Sequence, residues 1–583
     1  MRILLVHPED SPRYGPWSQQ KWELLVDLGK SSTSAADAWS NQYSCSVLRA
    51  DSFRQVITDV KLVRAMLSAG WGRLLDDQGI DWWDLTSLRI APDVMEALAL
   101  RRVCAEIAPS AELWSTRTAG PVKLVASLLG REPRSFGQSR MRRAASRAAH
   151  YCKVLRNFSA AQIREILFDK YDSAYQWRAR IAVRRRNARE PVVLLPSAYQ
   201  NVSRTAAAYA RLLPQQKFLM VVTRQNATQF TAAPNIKVQR LAAYVRPGVT
   251  ESETGSLVED WTRLRSDLLD SPELRTLDSI GTFGPFPGWI RDGLVVRDAW
   301  REVIEHEPVS AVLCGDDSNP HTRLPVILAA QRNIPTVDFH HGAFDGRYML
   351  KALPCDVYLA KNEVERDYLV RICELPEQRI VIGAPSAGST AVNGWRRGEE
   401  GDSAIFFSEP YEAAGMRGDE VYRDLLPILC RLVRESRRQS VIVKLHPFES
   451  FSQRERMIAD IARPEDRALI RVVGGRITDA LMRKAWFGIT VQSTTAMDCV
   501  ARGIRCFLCG WLRLTSYGYL EQFAHFGIGE VLESPQEVAS IAERMGEVPP
   551  LSGSGAVFHE IDPQNLKRYL TASESHRVAS PAS

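Results

Sequence analysis

The sequence predicts an α/β protein built on parallel sheets, with two consecutive Rossmann-like domains and an additional α/β domain ahead of them. Three observations carry this reading. Short apolar runs alternate with helical stretches over most of the 583 residues, the pattern of strands joined by crossover helices. Polar or glycine-bearing loops follow several of those runs. The whole series then starts afresh after a polar break just before residue 404. Length alone points the same way, since a single core stops growing at about 250–300 residues. A hydrophobic content of 45% with 25% charged residues is that of an ordinary globular protein.

Residues 1–130 open on a strand at 3–6 and hold Trp17, Trp22, Trp39, Trp71, Trp82, Trp83 and Trp114, half of the 14 tryptophans. They read as a Trp-rich N-terminal α/β domain. Residues 131–189 carry 16 Lys or Arg against 4 acidic residues, so this segment outweighs the net charge of +7 and the rest of the chain is slightly acidic. It reads as a basic helical linker, either a solvated one or one drawn to an anionic surface such as phospholipid headgroups or a phosphate-bearing acceptor. No recognised nucleic-acid motif accompanies the charge, so no nucleic-acid partner is expected.

From residue 190 to 387 the βαβ pattern is regular. A strand at 192–195 leads into a polar loop, Ser203 is placed to cap an Ala-rich helix to 213, and a strand follows at 218–222. Strands at 311–314, 336–339, 357–359 and 380–382 complete this domain, with helices at 324–331 and 363–370. Residues 388–403 form a linker. Residues 404–576 form the second Rossmann-like domain, with strands at 404–407, 440–444, 469–473, 487–491 and 506–509. Residues 577–583 read as a disordered tail.

The first apolar run spans only four residues, too short for a signal-peptide core, and no run approaches the ~18 residues of a membrane span. A cytoplasmic location is expected, at most peripheral on the inner face of the membrane. The ten cysteines form no recurring CxxC pair and read as reduced, mostly buried thiols.

Three polar clusters fall at predicted strand ends, where open parallel sheets bind ligands. The first is Gly315, Asp316, Asp317, Ser318 and Asn319, with Asp338, His340, His341 and Gly342 about twenty residues later. A strand-tip histidine accepts a proton from a hydroxyl near neutral pH, and Asp338 or Asp345 is placed to orient its ring. A packed or merely exposed histidine is the bland alternative. Asp316 and Asp317 suit a turn better than a metal. The second cluster is Lys444, Leu445, His446 and Pro447, whose cation and imidazole suit a phosphate. The third runs from Thr490 through Gln492, Ser493, Thr494 and Thr495 to Asp498, a hydroxyl-rich turn opening a helix. Helix N-termini present free N–H groups and favour anions. Asp498 either reaches ribose hydroxyls or complements the helix dipole. Ser408 and Glu409, after the strand at 404–407, are further cleft candidates.

The order His-Gly, Lys-x-His-Pro, then a Ser/Thr turn with an acidic residue on the following helix resembles GT-B glycosyltransferases. The nearest likeness is to bacterial capsule and cell-wall polymer transferases, namely the CDP-glycerol glycerophosphotransferases and the His-Pro-motif Kdo and sialic acid transferases. The segments 356–363 and 378–385 look like the close of the first domain in those proteins, and the likeness covers roughly 190–545. It implies two Rossmann-like domains facing across a cleft, the first on the acceptor side and the second on the nucleotide side. It implies His341 as general base with His340 as competitor, and Lys444, His446, Gln492, Ser493, Thr494 and Thr495 on donor phosphate. Asp498 would hold the ribose, although many relatives carry Glu there. The implied activity is metal-independent and inverting, without a cofactor. A CMP/CDP- or UDP-activated sugar or glycerophosphate passes to a polysaccharide or lipid-linked acceptor. Two rivals accompany it: a non-hydrolysing nucleotide-sugar 2-epimerase, using carboxylates such as Asp316, Asp317 and Glu409, and a non-catalytic assembly factor at the membrane.

Overall fold

The computed structural model describes residues 1–13, 15–30, 33–136, 181, 183, 190–246, 251–315, 320–340, 347–351, 355–385, 401–414, 416–512, 519–546 and 559–571. His341, Asp345, Asp316 and Asp317 lie outside them. So do most of the basic segment 131–189, most of the linker 388–403, and the tail.

The chain is α/β, with three sheets whose strand pairs are all parallel. The first holds β1 (Arg2–Val6), β2 (Leu24–Asp27), β3 (Ser46–Arg49), β4 (Glu112–Ser115) and β5 (Arg134–Ser135), in the order β3-β2-β1-β4-β5. The second holds β6 (Val192–Ser197), β7 (Phe218–Val222), β8 (Ile236–Arg240), β9 (Val309–Cys314), β10 (Thr336–Phe339), β11 (Val357–Ala360) and β12 (Ile380–Ile382). Their order is β12-β11-β10-β9-β6-β7-β8. The third holds β13 (Ser403–Phe407), β14 (Ser440–Lys444), β15 (Ile470–Val473), β16 (Ala485–Thr490), β17 (Cys506–Cys509) and β18 (Glu530–Leu532), ordered β15-β14-β13-β16-β17-β18. In each sheet the chain winds outward from its first strand in one direction, then crosses back beside that strand and winds the other way. This is the doubly wound order, and it opens a ligand crevice where the direction switches.

The central strands are largely apolar because crossover helices cover both faces. Every residue of β13, β14, β16 and β17 is buried, whereas the edge strands β15 and β18 are largely half-exposed. Each strand expected from an apolar run is present to within about two residues, whereas β2 to β5, β8 and β18 were not anticipated. One local expectation is corrected. Ser203 does not cap the Ala-rich helix, which starts earlier as Gln200–Leu212. Its hydroxyl is buried, bonded to the Ser197 hydroxyl at 2.7 Å and donating to the Ala227 carbonyl at 2.6 Å.

The chain groups into two compact units, one of residues 1–60, 93–136 and 390–557, the other of 61–92, 137–389 and 558–583. The first unit contains the five- and six-stranded sheets, and Arg417 joins them. Its guanidinium donates to Asp27 Oδ1 at 2.9 Å and to the Asp10 and His7 carbonyls at 2.9 and 3.3 Å, and lies 5.1 Å from the Trp39 ring centre. Asp27 is fully buried and Arg417 only 8% exposed, so this arginine fills the polar end of the first sheet. The second unit contains the seven-stranded sheet and the helices Glu251–Leu268 and Phe286–His306. Trp83, Trp261 and Phe286 stack within it, the last two at 3.7 Å. No helix among the described residues is long and apolar enough to cross a membrane.

Candidate functional site

The six-stranded sheet gathers most of the described site residues. β14, β13 and β16 are adjacent in its centre. Their carboxyl ends deliver Lys444 to His446, Ser408 and Glu409, and Thr490 to Thr495 respectively. The direction of winding switches between β13 and β16, so these residues surround the switch point.

His446 lies just past β14 and is half-buried. Its Nδ1 accepts from the Phe448 N–H at 3.2 Å. Burial and the nearby Lys444 charge lower its pKa. A neutral ring whose Nδ1 is an acceptor carries its proton on Nε2, which makes that nitrogen a donor. Lys444 is 4% exposed, with Nζ donating to the Leu445 carbonyl at 2.6 Å. Burial lowers its pKa while the Glu449 carboxylate opposes the shift. Lys444 therefore acts from beneath the surface, as a buried charge.

A network that sequence reading missed sets the His446 loop. Glu449 Oε2 accepts from the His446 N–H at 2.7 Å, and Oε1 accepts from the Ser408 hydroxyl at 2.9 Å and Arg454 Nε at 2.7 Å. Ser408 also bonds the Tyr422 hydroxyl at 2.6 Å, and Arg454 continues to Glu412 at 2.7 Å. Ser408 is thus committed to the scaffold. The available signal was the spacing: Glu449 closes a turn three residues after His446, just ahead of the helix Phe451–Ile461.

At the third cluster the expectation of free amides is corrected. The Gln492 N–H donates to Glu409 Oε1 at 2.9 Å, the Ser493 N–H to Thr490 Oγ1 at 3.3 Å, and the Thr495 N–H to Ser493 Oγ at 3.4 Å. Thr490 also donates to the Phe407 carbonyl at 3.1 Å. The turn is satisfied by its own side chains, with the Glu409 carboxyl in the place of an anion. Burial pushes that carboxyl up to about 7, against the amide and hydroxyl donors that pull it down. The helix that follows, Thr495–Val500, is short, and Thr494 at its cap makes no side-chain capping bond. Thr495 Oγ1 is buried without a hydrogen-bond partner. Asp498 pairs with Arg502 at 3.4 Å, and Arg502 also reaches Asp479. A ribose contact therefore needs Asp498 to leave that pair.

In the seven-stranded sheet, Asp338 sits inside β10 at 1% exposure. Its charge helps raise the pKa of buried Tyr209. His340 is half-buried one residue past the strand.

Among the described residues one carboxylate cluster has the spacing of a cation site: Asp76, Asp77 and Glu253. Arg297 already neutralises it, with ion pairs at 2.8, 3.3 and 2.5 Å.

No family model matches the sequence, and no curated protein matches it. Solved structures are similar in architecture. UDP-GlcNAc 2-epimerase from Neisseria meningitidis, bound to UDP-GlcNAc, is 10% identical with a TM-score of 0.39, over 65% of this chain and 97% of that one. The calicheamicin glycosyltransferase CalG4 is 14% identical with a TM-score of 0.39, over 67% and 100%. A variant of the wall teichoic acid polymerase TagF is 10% identical with a TM-score of 0.37, over 72% and 95%.

Proposed function

We propose that the chain is a GT-B glycosyltransferase that moves a sugar, or a glycerophosphate, from a nucleotide-activated donor to a polysaccharide or lipid-linked acceptor. The observation that supports this is the gathering of phosphate-matching groups at the switch point of the six-stranded sheet. His446 presents its Nε2–H there. Ser493 and Thr494 present hydroxyls, Lys444 adds buried positive charge, and Thr495 holds a buried hydroxyl that lacks a partner. Such groups stabilise the charge that develops on a departing nucleotide phosphate. Asp498, released from Arg502, is the ribose contact. The acceptor hydroxyl gives its proton to His341 or to its neighbour His340, and a single displacement with one base inverts the reacting carbon.

A specific observation favours a second reading, nucleotide-sugar 2-epimerisation. Glu409 stands at the switch point with its carboxyl raised to about 7, where a carboxyl both takes and returns a proton at neutral pH.

Titration calorimetry with UDP and CDP tests the shared part. His446→Ala is expected to weaken nucleotide binding about tenfold, the range of one charge-assisted hydrogen bond. Equal binding by His446→Ala and wild type would remove His446 from the donor site. Incubation of a UDP-HexNAc without acceptor separates the two readings, because rapid interconversion of epimers sinks the transferase and favours the epimerase.

A further inference from the structure

We infer that the carboxyl end of the seven-stranded sheet carries a phosphate-binding site formed by Arg89, Arg224 and His321, and that the phosphate it takes belongs to the acceptor. Assignment to the acceptor rests on the transfer reading above, whereas phosphate binding itself does not.

The site lies where this sheet changes winding direction, between β6 and β9. Tyr199 follows β6, Arg224 follows the neighbouring β7, and His321 stands in the first turn of the helix Pro320–Ala330 after β9. Arg89 arrives from the helix Trp82–Ala105. Two aromatic rings hold the guanidiniums. Arg224 lies 5.1 Å from the Tyr199 ring centre and donates to its hydroxyl at 3.3 Å, while Arg89 lies 5.0 Å from the Trp289 ring centre. Both arginines are exposed. Neither makes an ion pair with a carboxylate among the described residues.

Among the described residues the positive charge at this site outweighs the negative. Arg89 keeps an exposed surface but is partly covered, and that partial burial together with Arg224 holds it below its usual pKa, opposed chiefly by Asp292. His321 is driven down to about 4 by burial and by both guanidiniums. Its Nδ1 is buried and has no hydrogen-bond partner. Among the described residues, two cations and an orphaned imidazole nitrogen thus act on one another with Asp292 as the carboxylate beside them. A phosphate answers all three, because guanidinium forks match its oxygens and a polar hydrogen on it satisfies the nitrogen. A carboxylate at neutral pH can accept from both guanidiniums but has no hydrogen to give the imidazole nitrogen.

The site belongs to the sheet opposite in sequence to the nucleotide-binding candidates, and it uses none of their residues. On the transfer reading, a phosphate held there is assigned to the acceptor rather than to the donor. An acceptor that carries a phosphomonoester supplies such a group.

The test is titration calorimetry of the full chain with inorganic phosphate, acetate and UDP, comparing wild type with the Arg89→Gln/Arg224→Gln double variant. Melting temperatures serve as the fold control, since both side chains are exposed. The inference expects phosphate affinity to drop at least about tenfold in the double variant. It also expects acetate to bind far more weakly than phosphate, and UDP affinity to be unchanged. Equal phosphate affinity in the two proteins overturns the site, and acetate binding as tightly as phosphate overturns its phosphate character. If the double variant loses UDP binding as well, the cluster serves the donor and the acceptor assignment falls. If UDP binds neither protein while phosphate behaves as expected, the site stands and the transfer reading falls.

Discussion

Replacing Glu449 by alanine isolates the network that fixes the His446 loop. The Glu449 side chain is 1% exposed and Arg454 is 4% exposed, with 2.7 Å between carboxylate and Nε. Removing one partner of such a buried pair costs about 3–5 kcal/mol, because the remaining charge stays out of water. Two features move the value within that range. Arg454 keeps Glu412, whose side chain is 51% exposed, which lowers the cost. The His446 N–H loses its acceptor, which adds about 1 kcal/mol. Thermal unfolding of the full chain should register a drop of roughly 6–20 °C for the transition of the unit that contains residue 449, at about 2–4 °C per kcal/mol for a domain of this size. Glu449→Gln keeps an acceptor oxygen and the volume but loses the charge, and should fall between the two. An alanine variant within about 1 kcal/mol of wild type would mean that the carboxylate does not hold these donors. A double-mutant cycle with Arg454→Ala should give a coupling of about 0.5–3 kcal/mol.

Two further outcomes follow from buried charge. Glu409 has its carboxyl raised from 4.5 to about 7, so between those values the folded chain holds a proton that the unfolded chain has lost. Stability contributed by this group is then fully present below about pH 4.5 and falls as pH rises to about 7. Glu409→Gln should flatten that slope, gaining about 3 kcal/mol over wild type at pH 8, as read by urea unfolding at several pH values. An unchanged slope would mean that the carboxyl titrates normally. Arg417→Ala strands Asp27, which is fully buried, and should cost about 3–5 kcal/mol in denaturant unfolding. Arg417→Lys should not restore it, because a lysine cannot repeat the fork that reaches Asp27 and two carbonyls.

Most strands of the seven- and six-stranded sheets were legible from sequence because buried parallel strands are continuous apolar runs, whereas only β1 of the five-stranded sheet was. β9 (Val309–Cys314) and β14 (Ser440–Lys444) stand where their runs of Ala, Val, Leu and Ile end in polar loops. The clusters at Lys444–His446 and Thr490–Asp498 were legible for the same reason, as polar residues at strand tips. What sequence could not reveal is which groups are already spent. Ser408 reads as a cleft hydroxyl, yet it is tied to Tyr422 and Glu449 from residues 14 and 41 positions away. The turn at Gln492 reads as an open amide cradle, yet Glu409 from 83 positions away occupies it. Arg89, Arg224 and His321 share no local pattern at all. Only the strand order β9-β6-β7 brings the last two together.

The carboxyl of Glu409 on the Gln492 amide has a kinetic and thermodynamic meaning of its own. It behaves as a tethered competitor, an inhibitor present at a fixed effective concentration and never washed away. A phosphate seeking that amide must displace it, so measured affinity equals intrinsic affinity reduced by the fraction of turns left vacant. Because the carboxyl titrates near pH 7, the competitor is anionic above that pH and neutral below it. Nucleotide affinity should therefore strengthen as the medium acidifies, and Glu409→Ala should remove that dependence while raising affinity throughout.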